Sequence, residues 1–230
     1  MSSSSDTPVE KVKVWDISIR IFHWALVALI GFLWWSGTEG VQMDNHVLAG
    51  YTVLGLIIYR IIWGFIGSHH ARFINFVRSP IKALKSVPDV ISVRSDSQHV
   101  GHNPVGGWMV VALILILLAQ GISGLGTTDD IFIDGPLVPY ISDDMIYWLT
   151  DIHLMLPDFL IALVVLHLAA VLFHDAFKRE RLIQAMITGV KKVPESLTDS
   201  IRHSELPTIR FLIVVVLLSG LGWWLITHYG

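Results

Sequence analysis

The chain has 230 residues, of which 53% are hydrophobic and only 15% charged, a balance far from that of a soluble domain. It has no cysteine, which excludes thiolate-held iron-sulfur clusters, haem attached through a Cys-x-x-Cys-His motif, and disulfides; any redox cofactor must be held by imidazole or another non-thiol ligand. The net charge of −3 says less than the placement of the charges, and no nucleic acid is expected as a partner.

In chain order, the Ser-rich, polar start predicts a disordered tail over residues 1–14. Five apolar segments follow, each long enough for about 30 Å of hydrocarbon: Ile17 to Gly37, His46 to Ile66, Trp108 to Leu125, Met145 to Phe177 and Ile209 to Ile226. The first lacks the cleavage pattern of a signal peptide and reads as an anchor. The fourth opens on a polar turn, so the depth at which it starts is left open. A polar linker over residues 191–208 precedes the fifth span, which occupies 209–230. The expected fold class is an all-α integral membrane protein, a four-helix transmembrane bundle with an additional C-terminal transmembrane helix.

All sixteen Lys and Arg residues fall on one side of this five-span topology. The opposite loops instead carry Glu39, Asp44, Asp129, Asp130, Asp134, Asp143, Asp144 and Asp151. The positive-inside rule places the N-terminus in the cytoplasm and the C-terminus outside; the expected location is a bacterial inner membrane, with the C-terminus in the periplasm.

His153 and His167 lie fourteen residues apart in one apolar segment. On a helix that spacing is about 21 Å along the axis with directions differing by about 40°, so both face one interior, one near each membrane surface. The topology puts His23 at the inner level and His46 at the outer one. Two non-covalent b haems follow, with His23/His167 as the inner axial pair and His46/His153 as the outer pair. The alternative for any single histidine is packing or proton relay; four at two matched depths on alternating spans favour ligation. His69, His70, His99 and His203 fall in basic loops and read as solvated surface. His174, seven residues beyond His167 on nearly the same face, falls at the membrane border and is only a secondary candidate for a substitute ligand; His228 reads as interfacial.

Arg60 lies fourteen residues after His46 and Arg20 three before His23. Haem propionates and lipid phosphates would each suit these cations. Gly31, Gly50, Gly55, Gly121 and Gly124 allow close approach of a porphyrin or of a neighbouring helix. The tryptophans near the span ends read as an aromatic belt.

Arg20-Ile21-Phe22-His23-Trp24, His46 with Gly50 and Arg60, Trp63-Gly64-Phe65-Ile66-Gly67, Gly101-His102-Asn103-Pro104 and the His153/His167 pair together resemble the bacterial cytochrome b561-like family. That family includes the b-type cytochrome subunit of nickel-iron hydrogenases and the gamma subunit of formate dehydrogenases. The resemblance covers about residues 15–190 and implies a four-helix di-haem core passing electrons between a redox partner and quinone. It also implies a quinone site near the inner haem, with His102, Asn103 and Gly107 as candidates. Asn103 suits a helix N-cap ahead of Pro104 better than a quinone contact, and one residue can do both. The fifth span departs from the four-helix subunits and offers a surface for self-association into a homo-oligomer.

Three function classes are compatible with these residues. The leading one is an electron-transfer subunit between a quinone pool and a periplasmic partner, either a c-type cytochrome or a hydrogenase-like dehydrogenase. Another is a self-sufficient quinone oxidoreductase using a small oxidant or reductant such as superoxide. The third is a non-redox transporter or scaffold, which would be colourless.

Overall fold

The computed structural model describes residues 9–92, 101–131, 133–194 and 203–229, the side chains of 9, 194 and 221–229 excepted. The positions of His99 and of the His228 ring lie outside that description.

The first long helix, α1 (Ile17–Glu39), starts where Asp16 accepts hydrogen bonds from the Ser18 and Ile19 amides at 2.9 and 3.1 Å. It stops at Gly40, whose φ of 63° suits a residue without a Cβ. A short turn leads to α2 (Met43–Ile66). A 3₁₀ turn (His69–Ala71), α3 (Phe73–Phe76) and α4 (Pro80–Ile91) then lie at the Lys/Arg-rich end. The next long helix, α5 (Pro104–Gly124), begins as its residue types dictate: Asn103 Oδ1 accepts from the Gly106 amide at 2.7 Å and Pro104 occupies the first turn. After an acidic loop, α6 (Asp143–Phe177) runs for 35 residues. At about 1.5 Å per residue it is longer than the hydrocarbon is thick, so its ends project into polar surroundings. Arg179 and Arg181, with φ of 55° and 52°, turn the chain into α7 (Leu182–Thr188).

Helices α1, α2, α5 and α6 are long and apolar enough to cross a membrane. In α8 (Thr208–Tyr229), the apolar stretch with described side chains covers Thr208–Gly220. Helix α2 packs against α1, α5 and α8, and α5 against α6. Between the helices lies an apolar cluster of Val53, Ile57, Ile114, Leu117 and Leu160. Large apolar side chains such as Leu115, Leu154, Val165 and Leu172 are exposed, the pattern of a surface that meets lipid.

The tail differs from expectation. Val9–Lys13 forms a strand, β1, paired antiparallel with β2 (Val190–Pro194), with Lys11 opposite Lys192. The expected disorder over 1–14 therefore fails from residue 9 onward, and the linker expected over 191–208 begins as strand. Val12, Val14 and Val193 reach a core cluster with Trp15, Ile19, Tyr59, Trp63 and Ala185 at the Lys/Arg-rich end, and this burial fixes the strands.

That end is organised by Asp16, which is fully buried. Besides capping α1, its carboxylate accepts from the Ser18 and Ser68 hydroxyls and from Trp63 Nε1 at 3.3 Å, tying the start of α1 to the end of α2. Trp63 is accordingly a core residue stacked on Tyr59, and Trp15 is core as well, contrary to the aromatic-belt reading, whereas Trp34, Trp35 and Trp148 are exposed.

Candidate functional site

Each of the four histidines is half-buried within a long helix. His23 lies on α1 within electrostatic range of His167 on α6, and His46 on α2 within that range of His153 on α6. Among the described residues no group of three or more His, Asp or Glu side chains could cage a bare metal ion.

His46 and His153 are held through their ring Nδ1 atoms. His46 Nδ1 lies 2.8 Å from Ser36 Oγ, and Ser36 is itself fully buried. His153 Nδ1 donates to the Gln120 carbonyl oxygen at 3.0 Å and lies 3.3 Å from Ser123 Oγ. A metal-ligating imidazole usually has its other nitrogen engaged in this way, which fixes the tautomer and orients the ring. Glycine accompanies both rings. A Cβ on Gly124 would stand 2.9 Å from His153 Cε1, and one on Gly37 would stand 3.2 Å from His46 Cε1.

Gln120 was not singled out by sequence, and its role comes from a proline. Pro157 lies inside α6 four residues after His153. Having no N–H, it cannot donate to the His153 carbonyl as the helical ladder requires. Gln120 Nε2 donates to that carbonyl oxygen at 3.1 Å instead, with the same amide nitrogen beside the ring at 3.2 and 3.3 Å from its two nitrogens.

At the other level, His23 Nδ1 is buried without a hydrogen-bond partner, and so is Arg60 Nη1. Arg60 is buried, its guanidinium 5.0 Å from the Phe73 ring centroid and 6.0 Å from that of Phe76. Arg20 donates from Nη2 to the Ile187 carbonyl, capping the C-terminal end of α7, while its Nε is buried without an acceptor.

The residues expected around a quinone share this end. The His102 ring lies 4.8 Å from Trp15 and 4.7 Å from Phe76 by centroid, with Nδ1 buried and without a partner. Desolvation, with Arg60, His167 and His70 adding, pushes its pKa down to about 3, so it is neutral near pH 7. Asn103 serves as the N-cap. Gly107 lets α5 approach Phe76, whose carbonyl oxygen would lie 3.0 Å from an added Cβ.

Some histidines lie elsewhere than expected. His174 is buried, with Nδ1 2.9 Å from Glu180 Oε1, and Lys191 Nζ lies 3.0 Å from Glu180 Oε2. It therefore belongs to an ion-pair cluster at the α6–α7 junction. His69 and His70 are half-buried rather than solvated, packed edge to face.

The model of the prokaryotic cytochrome b561 family matches residues 14–189, which takes in all four histidines and the Asp16 hub. The chain belongs to the prokaryotic cytochrome b561 family. Similar curated proteins include probable Ni/Fe-hydrogenase B-type cytochrome subunits. The one from Azotobacter vinelandii is 25% identical over 82% of this chain and 91% of the relative. The one from Azotobacter chroococcum mcd 1 is 24% identical over the same shares. The one from Rhodobacter capsulatus is 21% identical over 77% of this chain and 80% of the relative. No solved structure matches the chain. As a cytochrome b561 family member with four apolar helices, the protein is a multi-pass membrane b-type cytochrome of electron transfer. Its residues fit a haem on the chemistry of their donors: the His46 and His153 imidazoles with Nδ1 engaged, and near the Lys/Arg-rich end an orphaned His23 nitrogen and Arg60 guanidinium.

Proposed function

We propose that this b-type cytochrome is a di-haem electron conduit joining a quinone site at its Lys/Arg-rich end to a redox partner at its acidic end. In this reading His23 and His167 hold one haem b, and His46 and His153 hold the other. Each bound haem supplies reversible one-electron transfer, and two imidazoles on the iron leave no position for substrate. The observation that carries the reading is the set of four half-buried histidines at two levels, with Nδ1 of His46 and of His153 engaged; for His153 Nε2 to ligate iron, the Gln120 amide 3.3 Å from it would have to give way.

The residues divide the remaining work. Ser36, Gln120 and Ser123 orient the outer rings. Arg60 offers its orphaned Nη1 to a propionate, and Arg20 its orphaned Nε. His102, Asn103 and Gly107 border the quinone headgroup. His102, being neutral, contributes a hydrogen bond to a quinone carbonyl rather than a stored proton, and Asn103 retains its amide N–H groups while Oδ1 caps α5. The Lys/Arg-rich end faces the cytoplasm and the exposed aspartates face the periplasm of a bacterial inner membrane. There they would meet a basic surface on a c-type cytochrome or hydrogenase-like dehydrogenase; the curated relatives named as hydrogenase subunits support the latter.

The test is haem stoichiometry of the detergent-purified protein by pyridine haemochrome, with oxidised and dithionite-reduced spectra. Two low-spin b haems per chain are expected. One haem per chain, or a high-spin ferric spectrum, would overturn the bis-imidazole di-haem reading.

A further inference from the structure

A cavity of about 650 Å³ opens at the Lys/Arg-rich end, between the end of α2 and the start of α8. Its walls include Ser68, Arg72, His203, Glu205, Thr208 and Arg210. Two guanidinium groups thus face one carboxylate, and among the described residues neither guanidinium takes part in an ion pair. Arg72 Nε is buried and has no acceptor. Arg210 donates from Nη1 to the Ile66 carbonyl oxygen at 3.1 Å, which anchors its stem and leaves its other N–H groups available. His203 Nδ1 accepts from the Lys13 amide at 3.3 Å, so the neutral ring carries its proton on Nε2 as a further donor. The opening residues of α8 form part of the same wall, and the first N–H groups of a helix lack intrahelical partners. Donors therefore outnumber acceptors around this space.

The surroundings identify what such a site would hold. The cavity sits where α2, long and apolar enough to cross a membrane, ends and the apolar α8 begins; Ile209 lines it, and Phe65, Ile66, Leu212 and Ile213 on the adjoining turns of the two helices are exposed. A soluble anion has no use for that apolar border, whereas a phospholipid joins a phosphate directly to acyl chains. We propose that the cavity binds the phosphate of an anionic membrane lipid, with Arg72, Arg210 and His203 as donors, and that the lipid bridges α2 and α8. Phosphate oxygens would satisfy Arg72 Nε and accept from the free edge of Arg210. The acyl chains would lie along Phe65, Ile66 and Leu212. Glu205 restricts the site to a singly charged phosphodiester more readily than to a dianion, since a second negative charge would stand against its carboxylate.

Native mass spectrometry of the full-length, haem-loaded protein in detergent tests this, with phosphatidylglycerol, phosphatidylcholine and inorganic phosphate as probes. The expected result is one tightly retained phosphatidylglycerol per chain, with phosphatidylcholine at least about tenfold weaker and inorganic phosphate unable to displace the lipid. In R72Q/R210Q the affinity for phosphatidylglycerol should fall at least about tenfold while the haem spectrum is unchanged. R210K, which keeps the charge, should retain most of it and guards against a folding defect in the double variant. Equal retention of the two lipids, or undiminished binding by R72Q/R210Q, would overturn the proposal. Displacement by inorganic phosphate would also overturn it by making the site one for a free anion.

Discussion

Gln120 holds His153 at two points: its carbonyl oxygen accepts from His153 Nδ1 at 3.0 Å, and its side-chain amide donates to the His153 carbonyl oxygen at 3.1 Å. The second bond replaces the ladder bond that Pro157 cannot make, so a helix-weakening residue and a polar residue on another helix form one device. In Q120L the carbonyl is left unpaired in an apolar setting, at a cost of about 1–3 kcal/mol. Adding P157A restores an N–H four residues downstream and should recover at least half of that loss. A double-mutant cycle on thermal unfolding in detergent measures the coupling. Purely additive effects would show that the Gln120 amide and the missing N–H are unrelated.

If the histidines pair by level, H46A or H153A should remove one haem and leave the spectrum of the other intact, and H23A or H167A should do the converse. Haemochrome content near half of the parent value in each variant, with two complementary spectra across the set, is the expected pattern. Proportional loss of both haems in every folded variant would break the pairing.

Gly124 tests the geometry beside the same ring. A Cβ there would come to 2.9 Å from His153 Cε1, closer than packed carbon atoms tolerate, so G124A must push the imidazole or separate α5 from α6. Its redox titration should show one haem potential shifted and the other unmoved. At Gly37 the corresponding distance to His46 Cε1 is 3.2 Å, and the shift in G37A should be smaller.

The spans and the histidine spacing were legible because hydropathy and helical period are local signals carried by consecutive residues. The partners of those histidines were not, since Ser36 and Gln120 are ordinary polar residues until α2 and α6 bring His46 and His153 against them. Asp16 was not singled out by sequence, although its capping of α1 involves only the neighbouring Ser18 and Ile19. Its bonds to Trp63 and Ser68, around fifty positions away, depend on tertiary packing. The pairing of Val9–Lys13 with Val190–Pro194 has the same cause: a short strand of mixed Val and Lys has little pattern of its own, and the docking of Val12 and Val193 into the core decides it. A terminal polar run therefore looked like tail.

The cluster of His174, Glu180 and Lys191 predicts acid sensitivity. Burial alone would raise the Glu180 carboxyl pKa, but Lys191 and His174 outweigh it and hold the carboxyl below the usual glutamate range. A lowered folded-state pKa means that the stabilisation is fully present above the unfolded value, about 4.3, and is lost as pH falls through the folded one. The melting temperature of the parent protein should therefore fall between pH 5 and pH 3 by more than that of E180Q, estimated from linkage. At pH 7 E180Q should be less stable by about 1–3 kcal/mol, because the buried Lys191 ammonium loses its charged bond to Glu180. Parallel pH profiles for the two proteins would remove Glu180 from the acid response.

The acidic end supplies the last prediction, and the structure decides which aspartates can be used for it. Asp129 accepts from the Ile131 and Ile133 amides and Asp134 from the Thr128 hydroxyl, so neutralising either would disturb the loop itself. Asp143, Asp144 and Asp151 are exposed on α6. Replacing all three by Asn lowers the negative field while leaving those turn contacts in place; the loss of two acids from the first turn costs the helix about 1 kcal/mol at most per residue. Stopped-flow reduction of a basic c-type cytochrome by the quinol-reduced protein should then slow several-fold at low ionic strength, in line with electrostatic steering. The two proteins should converge near 0.5 M salt, where the Debye length is only about 4 Å. A rate difference that persists at high salt would mean that these carboxylates make close contacts with the partner; no difference at any salt would place the docking surface elsewhere.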